Sequence, residues 1–222
     1  MQKATASPIR LAAHIAAAAA MLLALAGCSS VNSMLGGNSE ADALTNLKWS
    51  YAANGIELAV TAAPELNRSK DQAHTLLLVV VQMEDPNAFS RAAASPAQLS
   101  ALLLSPAAPD GMLSLNRIYV APGTTQNIAL PRVEKAQYVG VAAGYYHLDP
   151  ARSTRLYRFG VDVTASGIVI KNRTATPQPL QITLQLGADG IVEGPGGKAS
   201  TPPPVRPTGG LVPPPPPQGA AQ

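Results

Sequence analysis

Between Leu47 and Glu193 the order of apolar and polar residues follows a period of two, the spacing of a strand with one buried face. Leu180-Gln181-Ile182-Thr183-Leu184-Gln185-Leu186 alternates strictly, and Asp189-Gly190 supplies hairpin turn chemistry before a return strand at Ile191-Val192. Ile56–Thr61 alternates in the same way. Leu76–Val81 is an unbroken Leu/Val run of strand length, which predicts a central strand covered on both faces. Ser114–Val120 and Thr124–Leu130 flank the turn signal Ala121-Pro122-Gly123. Further strands are expected in Gln137–Tyr146, Arg155–Val163 and Ile168–Ile170, the last two joined around Ser166-Gly167. About eight short strands separated by turn signals predict an all-β fold, an antiparallel sandwich. One stretch departs from the pattern. Asn87–Ala94 is Ala-rich, and Ser95-Pro96 stand as N-cap and first helical residue before Ala97–Leu104, so a small helical insertion is expected between strands 2 and 3.

The two ends of the chain read differently. Lys3 and Arg10 precede Leu11–Ala26, an Ala/Leu run interrupted only by His14 and shorter than the roughly 20 residues that span a bilayer. The run ends in Leu25-Ala26-Gly27-Cys28, which resembles the lipobox of bacterial lipoproteins. That resemblance implies cleavage between Gly27 and Cys28 and acylation of the Cys28 thiol, its thiolate acting as nucleophile. Several acyl chains on one cysteine anchor stably where a single chain is marginal. Ser29 after the cysteine, by resemblance to sorted lipoproteins, favours the outer membrane. Residues 1–27 are thus expected to be a signal peptide, and 28–46 an acylated cysteine with a Ser/Gly/Asn-rich flexible tether. The domain proper is expected over 47–193. Residues 194–222 are expected to be a disordered tail, since Pro195–Gln222 holds 10 prolines and 5 glycines.

Composition narrows the function. The 222 residues are 46% hydrophobic but only 13% charged. The formal charge of +3 falls to near neutrality once Lys3 and Arg10 leave with the leader. No basic stripe is available to neutralise phosphates, so no nucleic-acid partner is expected. One cysteine rules out a multi-cysteine zinc site, three histidines leave little material for a metal centre, and no metal or cofactor is expected. No phosphate loop or nucleophile elbow occurs, so an enzyme is not expected. Asp85-Pro86 and Asp149-Pro150 read as turn or helix-start pairs, and one of the adjacent Tyr145-Tyr146 is expected to face out. Arg152, Arg155 and Arg158 recur every three residues, as a solvated strand edge or a contact for an acidic partner would have them. A periplasmic sandwich that binds sugar or peptidoglycan is the alternative reading.

The segment Ala62–His74 joins the first two strands and is too long for a tight hairpin. Long ordered loops on rigid scaffolds are frequent interaction sites.

Read in order, these features resemble the outer-membrane lipoprotein family of the bacterial type VI secretion system. The likeness is carried by the lipobox, the Ile-x-Leu-x-Val strand, the Ala-Ala-x-x-Leu-Asn loop and Val81-Gln82-Met83-Glu84-Asp85. Phe89 in the insert, Val120-Ala121-Pro122-Gly123 and Tyr138-Val139-Gly140-Val141-Ala142-Ala143 complete it. The resemblance implies a transthyretin-like sandwich, lipid-anchored in the outer membrane and facing the periplasm. The implied partner is the periplasmic C-terminal region of the large inner-membrane core protein. The contact loop carries over onto Pro64, Glu65, Leu66, Asn67, Arg68, Ser69, Lys70, Asp71 and Gln72. Leu66 is the expected apolar anchor, with Glu65, Arg68, Lys70 and Asp71 setting register.

Overall fold

The computed structural model describes residues 32–192 and 210–211. The expected signal peptide, Cys28 and most of the Pro-rich tail lie outside the described residues. By contacts the described chain forms a larger unit, from residue 48 to 162 and from 176 onward, and a smaller one of residues up to 47 with 163–175.

The larger unit is the sandwich. Strands β1 (Ala52–Ala62), β4 (Thr125–Arg132), β9 (Leu180–Leu186) and β10 (Ile191–Val192) form one sheet in the order β10-β9-β1-β4. Strands β2 (Leu76–Met83), β3 (Ser114–Val120), β5 (Tyr138–Ala143), β6 (Thr154–Arg158) and β11 (Gly210–Leu211) form the other, in the order β11-β6-β5-β2-β3. The alternation in β1 and β9 translates directly: Ile56, Leu58, Val60, Leu180, Ile182, Leu184 and Leu186 are buried, while Glu57, Thr61, Gln181, Thr183 and Gln185 are exposed. These inward side chains meet Leu76, Leu78, Val80, Val139 and Val141 of the facing sheet, and Phe159 just after β6, in one core.

The all-β sandwich with a helical insertion between strands 2 and 3 is as the sequence predicts, but the pairing is not wholly antiparallel. β1 and β9 run parallel, Ile56 opposite Leu180 through Ala62 opposite Leu186. Parallel neighbours need a long crossover, and nearly the whole domain separates these two strands. Alternation reports which face is buried and is blind to strand direction. The strand expected over Arg155–Val163 is broken at Phe159-Gly160, where the chain leaves the sheet after β6 and starts β7 (Val161–Ser166). Ile168–Ile170 is a turn between β7 and β8 (Asn172–Pro177) rather than a strand.

β2 carries burial on both faces. Its other side, Val79, Val81 and Met83, forms a second core with Phe89 of α2 (Asn87–Ala92) and Leu99 and Leu102 of α3 (Pro96–Leu104). α3 begins as its sequence requires: Ser95 caps it by accepting from the Gln98 amide at 3.3 Å, and Pro96 occupies the first turn. The Phe89 ring lies directly over Gly140 of β5, where a β-carbon would collide with it. A four-residue helix, α4 (Pro150–Ser153), is capped by Asp149 accepting from Ala151 N at 3.0 Å.

Two buried polar side chains join these parts. Gln82 donates to Pro131 O (2.8 Å) and accepts from Val133 N (3.0 Å), linking β2 to the end of β4 in the opposite sheet. Arg132 is only 3% exposed; its guanidinium donates to Ser50 O at 2.9 and 3.2 Å and lies against the rings of Trp49 and Phe159. Burial lowers its pKa from the usual guanidinium value. Gly55 sits where the β1–β4 register shifts, and a side chain there would overlap Arg132.

In the smaller unit, residues 32–47 carry structure where a flexible tether is expected. Helix α1 (Glu40–Thr45) is closed by a capping box in which Ser39 accepts from the Asp42 amide and Asp42 accepts from the Ser39 amide and hydroxyl. Those bonds hold the Asp42 carboxyl below the ordinary carboxylate value. The S/T-x-x-D spacing is legible in Ser39-Glu40-Ala41-Asp42 once composition is set aside.

The Phe89–Gly140 contact generates a prediction. Gly140→Ala should cost about 1–3 kcal/mol by overpacking and Phe89→Ala about 3–5 kcal/mol by leaving a cavity. In the Phe89→Ala background, Gly140→Ala should cost almost nothing, because the obstructing ring is gone. Urea midpoints of the four proteins measure the coupling, and additive losses would contradict the contact.

Candidate partner-binding surface

The chain from Ala63 to Thr75 leaves β1 and enters β2, and the structure divides its residues into two classes. Pro64, Glu65, Arg68, Lys70, Asp71 and Gln72 are exposed, and Ser69 is half-buried. Leu66 and Asn67 are buried, at 0% and 4% exposure. This corrects the expectation for Leu66: its side chain belongs to the sandwich core with Ile56 and Leu186, so it is no surface anchor. One leucine in a polar loop looks available in sequence, yet an isolated apolar residue is also how a long loop is fastened to its scaffold.

Asn67 completes the fastening. It holds a left-handed backbone (φ +50°), which asparagine tolerates better than most residues. Its side chain accepts from Tyr146 N at 2.8 Å and reaches Thr75 O at 3.4 Å. The backbone adds further bonds: Asn67 N to Gly187 O, Arg68 N to Ala188 O at 2.9 Å, and His74 N to Leu66 O at 3.0 Å. Gly123 N, in the β3–β4 turn, donates to Ala63 O at 3.1 Å. Four segments thus meet at one end of the sandwich: the loop, the β3–β4 turn, the chain following β5 and the β9–β10 turn.

The loop's outermost point is a miniature hairpin. Ser69 and Gln72 exchange backbone bonds of 2.9 and 3.0 Å, and both intervening residues, Lys70 and Asp71, have positive φ (+49° and +60°). That is the sign pattern of a primed hairpin turn, which normally takes Asn-Gly. Non-glycine residues in this region cost about 1 kcal/mol or more each. The tip therefore displays one cation and one anion in a fixed, strained arrangement, with Glu65 and Arg68 behind it.

Sequence reasoning missed the aromatic part of this surface. Tyr145 and Tyr146 divide as expected, one in (4% exposed) and one out (62%). Tyr146, whose amide is held by Asn67, also lays its ring against His74, with centroids 5.1 Å apart and planes at 60°. Only the in–out flip of adjacent tyrosines after β5 signals this in sequence, and it does not say which loop the outer ring joins. Burial pushes the Tyr145 phenol well above its ordinary pKa. The arginines are largely occupied: Arg155 donates to Thr154 O at 2.7 Å and Ile191 O at 2.9 Å, and Arg158 lies over the Tyr138 ring. Among the described residues no group of three His, Cys, Asp or Glu is placed to hold a metal ion. Among them, too, no helix is long and apolar enough to cross a membrane.

Stability separates the two classes of loop residue. Leu66→Ala should destabilise the domain by about 2–5 kcal/mol, as removal of a core leucine does. Lys70→Asn with Asp71→Gly should instead raise stability by about 1 kcal/mol by relieving the turn. Thermal unfolding of the two variants should shift in opposite directions; a neutral Leu66→Ala would return that residue to the surface.

Comparison with known proteins bears on the chain as a whole. No curated protein matches it. Several solved structures are similar at low identity. TssJ1, the type VI secretion lipoprotein of Pseudomonas aeruginosa, is 22% identical, with 66% of this chain and 97% of that one covered and a TM-score of 0.42. Serratia marcescens Lip, a membrane-bound component of the type VI secretion system, is 17% identical, with 64% and 96% covered and a TM-score of 0.41. The C-terminal domain of TssM from EAEC is 14% identical, with 63% and 97% covered and a TM-score of 0.46. The family model described as type VI secretion lipoprotein (T6SS-SciN; VasD, EvfM, TssJ) matches residues 54–187, which run from β1 to the end of β9 and include the pinned loop. With more than half of its length matched, the chain belongs to the type VI secretion lipoprotein family.

Proposed function

We propose that this protein is a non-enzymatic anchoring subunit of the type VI secretion membrane complex, held by acyl groups on Cys28 at the periplasmic face of the outer membrane. Its partner is the periplasmic C-terminal region of the large inner-membrane core protein, bound through the loop Pro64–Gln72 and the adjoining Tyr146. The observation that carries this reading is the loop's construction. A surface meant only to close a chain needs no buried leucine, no three-way asparagine bridge and no strained charged tip. These features hold the backbone that carries Glu65, Arg68, Lys70 and Asp71, which lowers the ordering cost of binding. Tyr146 replaces Leu66 as the anchor: it is exposed, aromatic and rigidly backed, the residue type over-represented at interface hot spots. The four loop charges cancel, so they would set specificity and register more than long-range attraction.

Calorimetric titration of the mature chain carrying Cys28→Ser with the core protein's periplasmic region from the same bacterium tests the contact. Tyr146→Ala should weaken binding by about 2 kcal/mol, roughly 30-fold in Kd, without changing the unfolding midpoint. An unaltered Kd for Tyr146→Ala and for a Gly/Ser replacement of 68–72 would sink the surface assignment. In cells, Cys28→Ser should move the protein from the membrane pellet to the soluble fraction; persistence in the pellet would contradict lipid anchoring.

A further inference from the structure

The hairpin of β7 and β8 inverts the usual distribution of residues. Beyond Val161 and Val163 its strands, Val161-Asp162-Val163-Thr164-Ala165-Ser166 and Asn172-Arg173-Thr174-Ala175-Thr176-Pro177, carry only small or polar residues and a proline, while its turn is aliphatic. Ile168 is 97% exposed, Val169 78% and Ile170 40%. Turns ordinarily take Gly, Asn, Asp or Ser, and branched aliphatics in open solvent add nothing to a hairpin's own stability. Such exposed groups mark a surface that meets something apolar.

The tip is held in shape. Gly167 has φ +94°, and the Ile170 carbonyl sits where its β-carbon would be, so glycine is required there. Two asparagines from the N-terminal segment then serve as a substitute strand along β8. Asn32 accepts from Lys171 N at 2.8 Å and donates to Lys171 O at 3.0 Å. Asn38 treats Arg173 the same way, accepting from its amide and donating to its carbonyl at 2.7 Å. The Arg173 guanidinium closes the arrangement on Asn38 O at 2.7 Å. Each side-chain amide supplies one donor and one acceptor, as a neighbouring peptide would, at residues two apart along the strand. The same segment exposes Met34 (88%) and Leu35 (51%).

Chain length now fixes what lies close by. Asn32 is four residues beyond Cys28, at most about 14 Å of fully extended chain. Acyl groups on Cys28 would therefore bring residues clamped to the hairpin turn to the bilayer surface. Resting on the lipid-anchor reading above, we propose that Ile168-Val169-Ile170, with Met34 and Leu35, form a second, non-covalent membrane contact. It is an apolar wedge that enters the headgroup region of the same leaflet that holds the acyl chains. Lys171, exposed and next to the wedge, meets lipid phosphate; the acids of the segment, Glu40 and Asp42, belong to α1, where Asp42 is already engaged by Ser39. Interfacial elements of this kind combine buried apolar area with cation attraction to anionic headgroups. Only three residues, Ser29–Val31, then separate Cys28 from the first clamped residue, rather than the 18 that composition suggests for Ser29–Asn46.

The single cysteine makes the test clean, because acylation blocks its thiol and leaves an introduced cysteine as the only site for a label. Full-length acylated protein with Val169→Cys, carrying an environment-sensitive fluorophore, is placed in vesicles of phosphatidylethanolamine and phosphatidylglycerol. The same label on Gln181→Cys, on the polar outer face of β9, gives the aqueous reference. Spin-labelled lipid should quench the label at 169 about threefold more than that at 181, since an interfacial wedge sits roughly 5–10 Å into the headgroup and acyl boundary. An acylated, vesicle-bound protein whose label at 169 is as wet as that at 181 overturns the wedge and leaves the anchor standing. Such a dry label seen only after addition of the core protein would overturn it too, assigning the tip to a protein partner. A chain of unacylated mass, doubly labelled and free of the vesicles, overturns both readings.

Discussion

Strand β2 must be covered twice, and most of the architecture follows from that requirement. Leu76, Leu78 and Val80 face the other sheet, while Val79, Val81 and Met83 face away from it. A two-layer sandwich would leave the second set in water, at a cost of about 1.5–3 kcal/mol per side chain. The helical insertion is the third layer that prevents this, and its position immediately after β2 is economical: the chain turns back at Asp85-Pro86 and lays Phe89 over Gly140 on the neighbouring strand. Gly140 is fixed by the same constraint, because any β-carbon on β5 at that point would lift the ring and open the second core.

The same rigidity reaches the end of the sandwich that carries the β1–β2 loop. β2 begins at Leu76, directly after the loop, and Leu66 inserts into the core that β2 lines. The loop is therefore an extension of the core with a charged outer skin. Its hydrogen bonds to three neighbouring segments leave only the side chains of the tip free to adapt. The charged side chains of the tip therefore stand on a preset backbone, and the strain at Lys70 and Asp71 is tolerated because Ser69 and Gln72 are paired beneath them.

What was legible in the sequence is what burial dictates locally. The alternation of β9, the continuous run of β2, the Ser95-Pro96 helix start and the Asp189-Gly190 hairpin are each written in adjacent residues, and each is found where it was expected. Properties set by distant partners were not. The parallel pairing of β1 with β9 depends on topology, and the division of Arg155–Val163 depends on Phe159 turning into the core. Strand β8 has no apolar alternation because it pairs only with β7 and joins neither sheet of the sandwich, so Asn172–Pro177 carries no strand signal while the aliphatic Ile168–Ile170 does. Leu66 was misread for a related reason: the number of apolar neighbours in the chain says nothing about those in space.

The asparagines of the N-terminal segment show how a polar, low-complexity stretch acquires structure without an apolar face. Composition counts Asn32, Asn38 and Ser39 as solvating residues, which is correct for a chain with no receptor. Here the unpaired edge of β8 is the receptor. An edge strand offers its backbone groups in alternation, and an amide side chain can satisfy both groups of one residue at once. Two such residues, six apart in the chain, meet two peptides spaced by two along the strand, and Ser39 then starts α1 directly after the second. Few side chains are buried in this unit, so its cohesion rests on directional bonds that water contests, and it gains most from an apolar surface against which Ile168, Val169 and Ile170 can leave water.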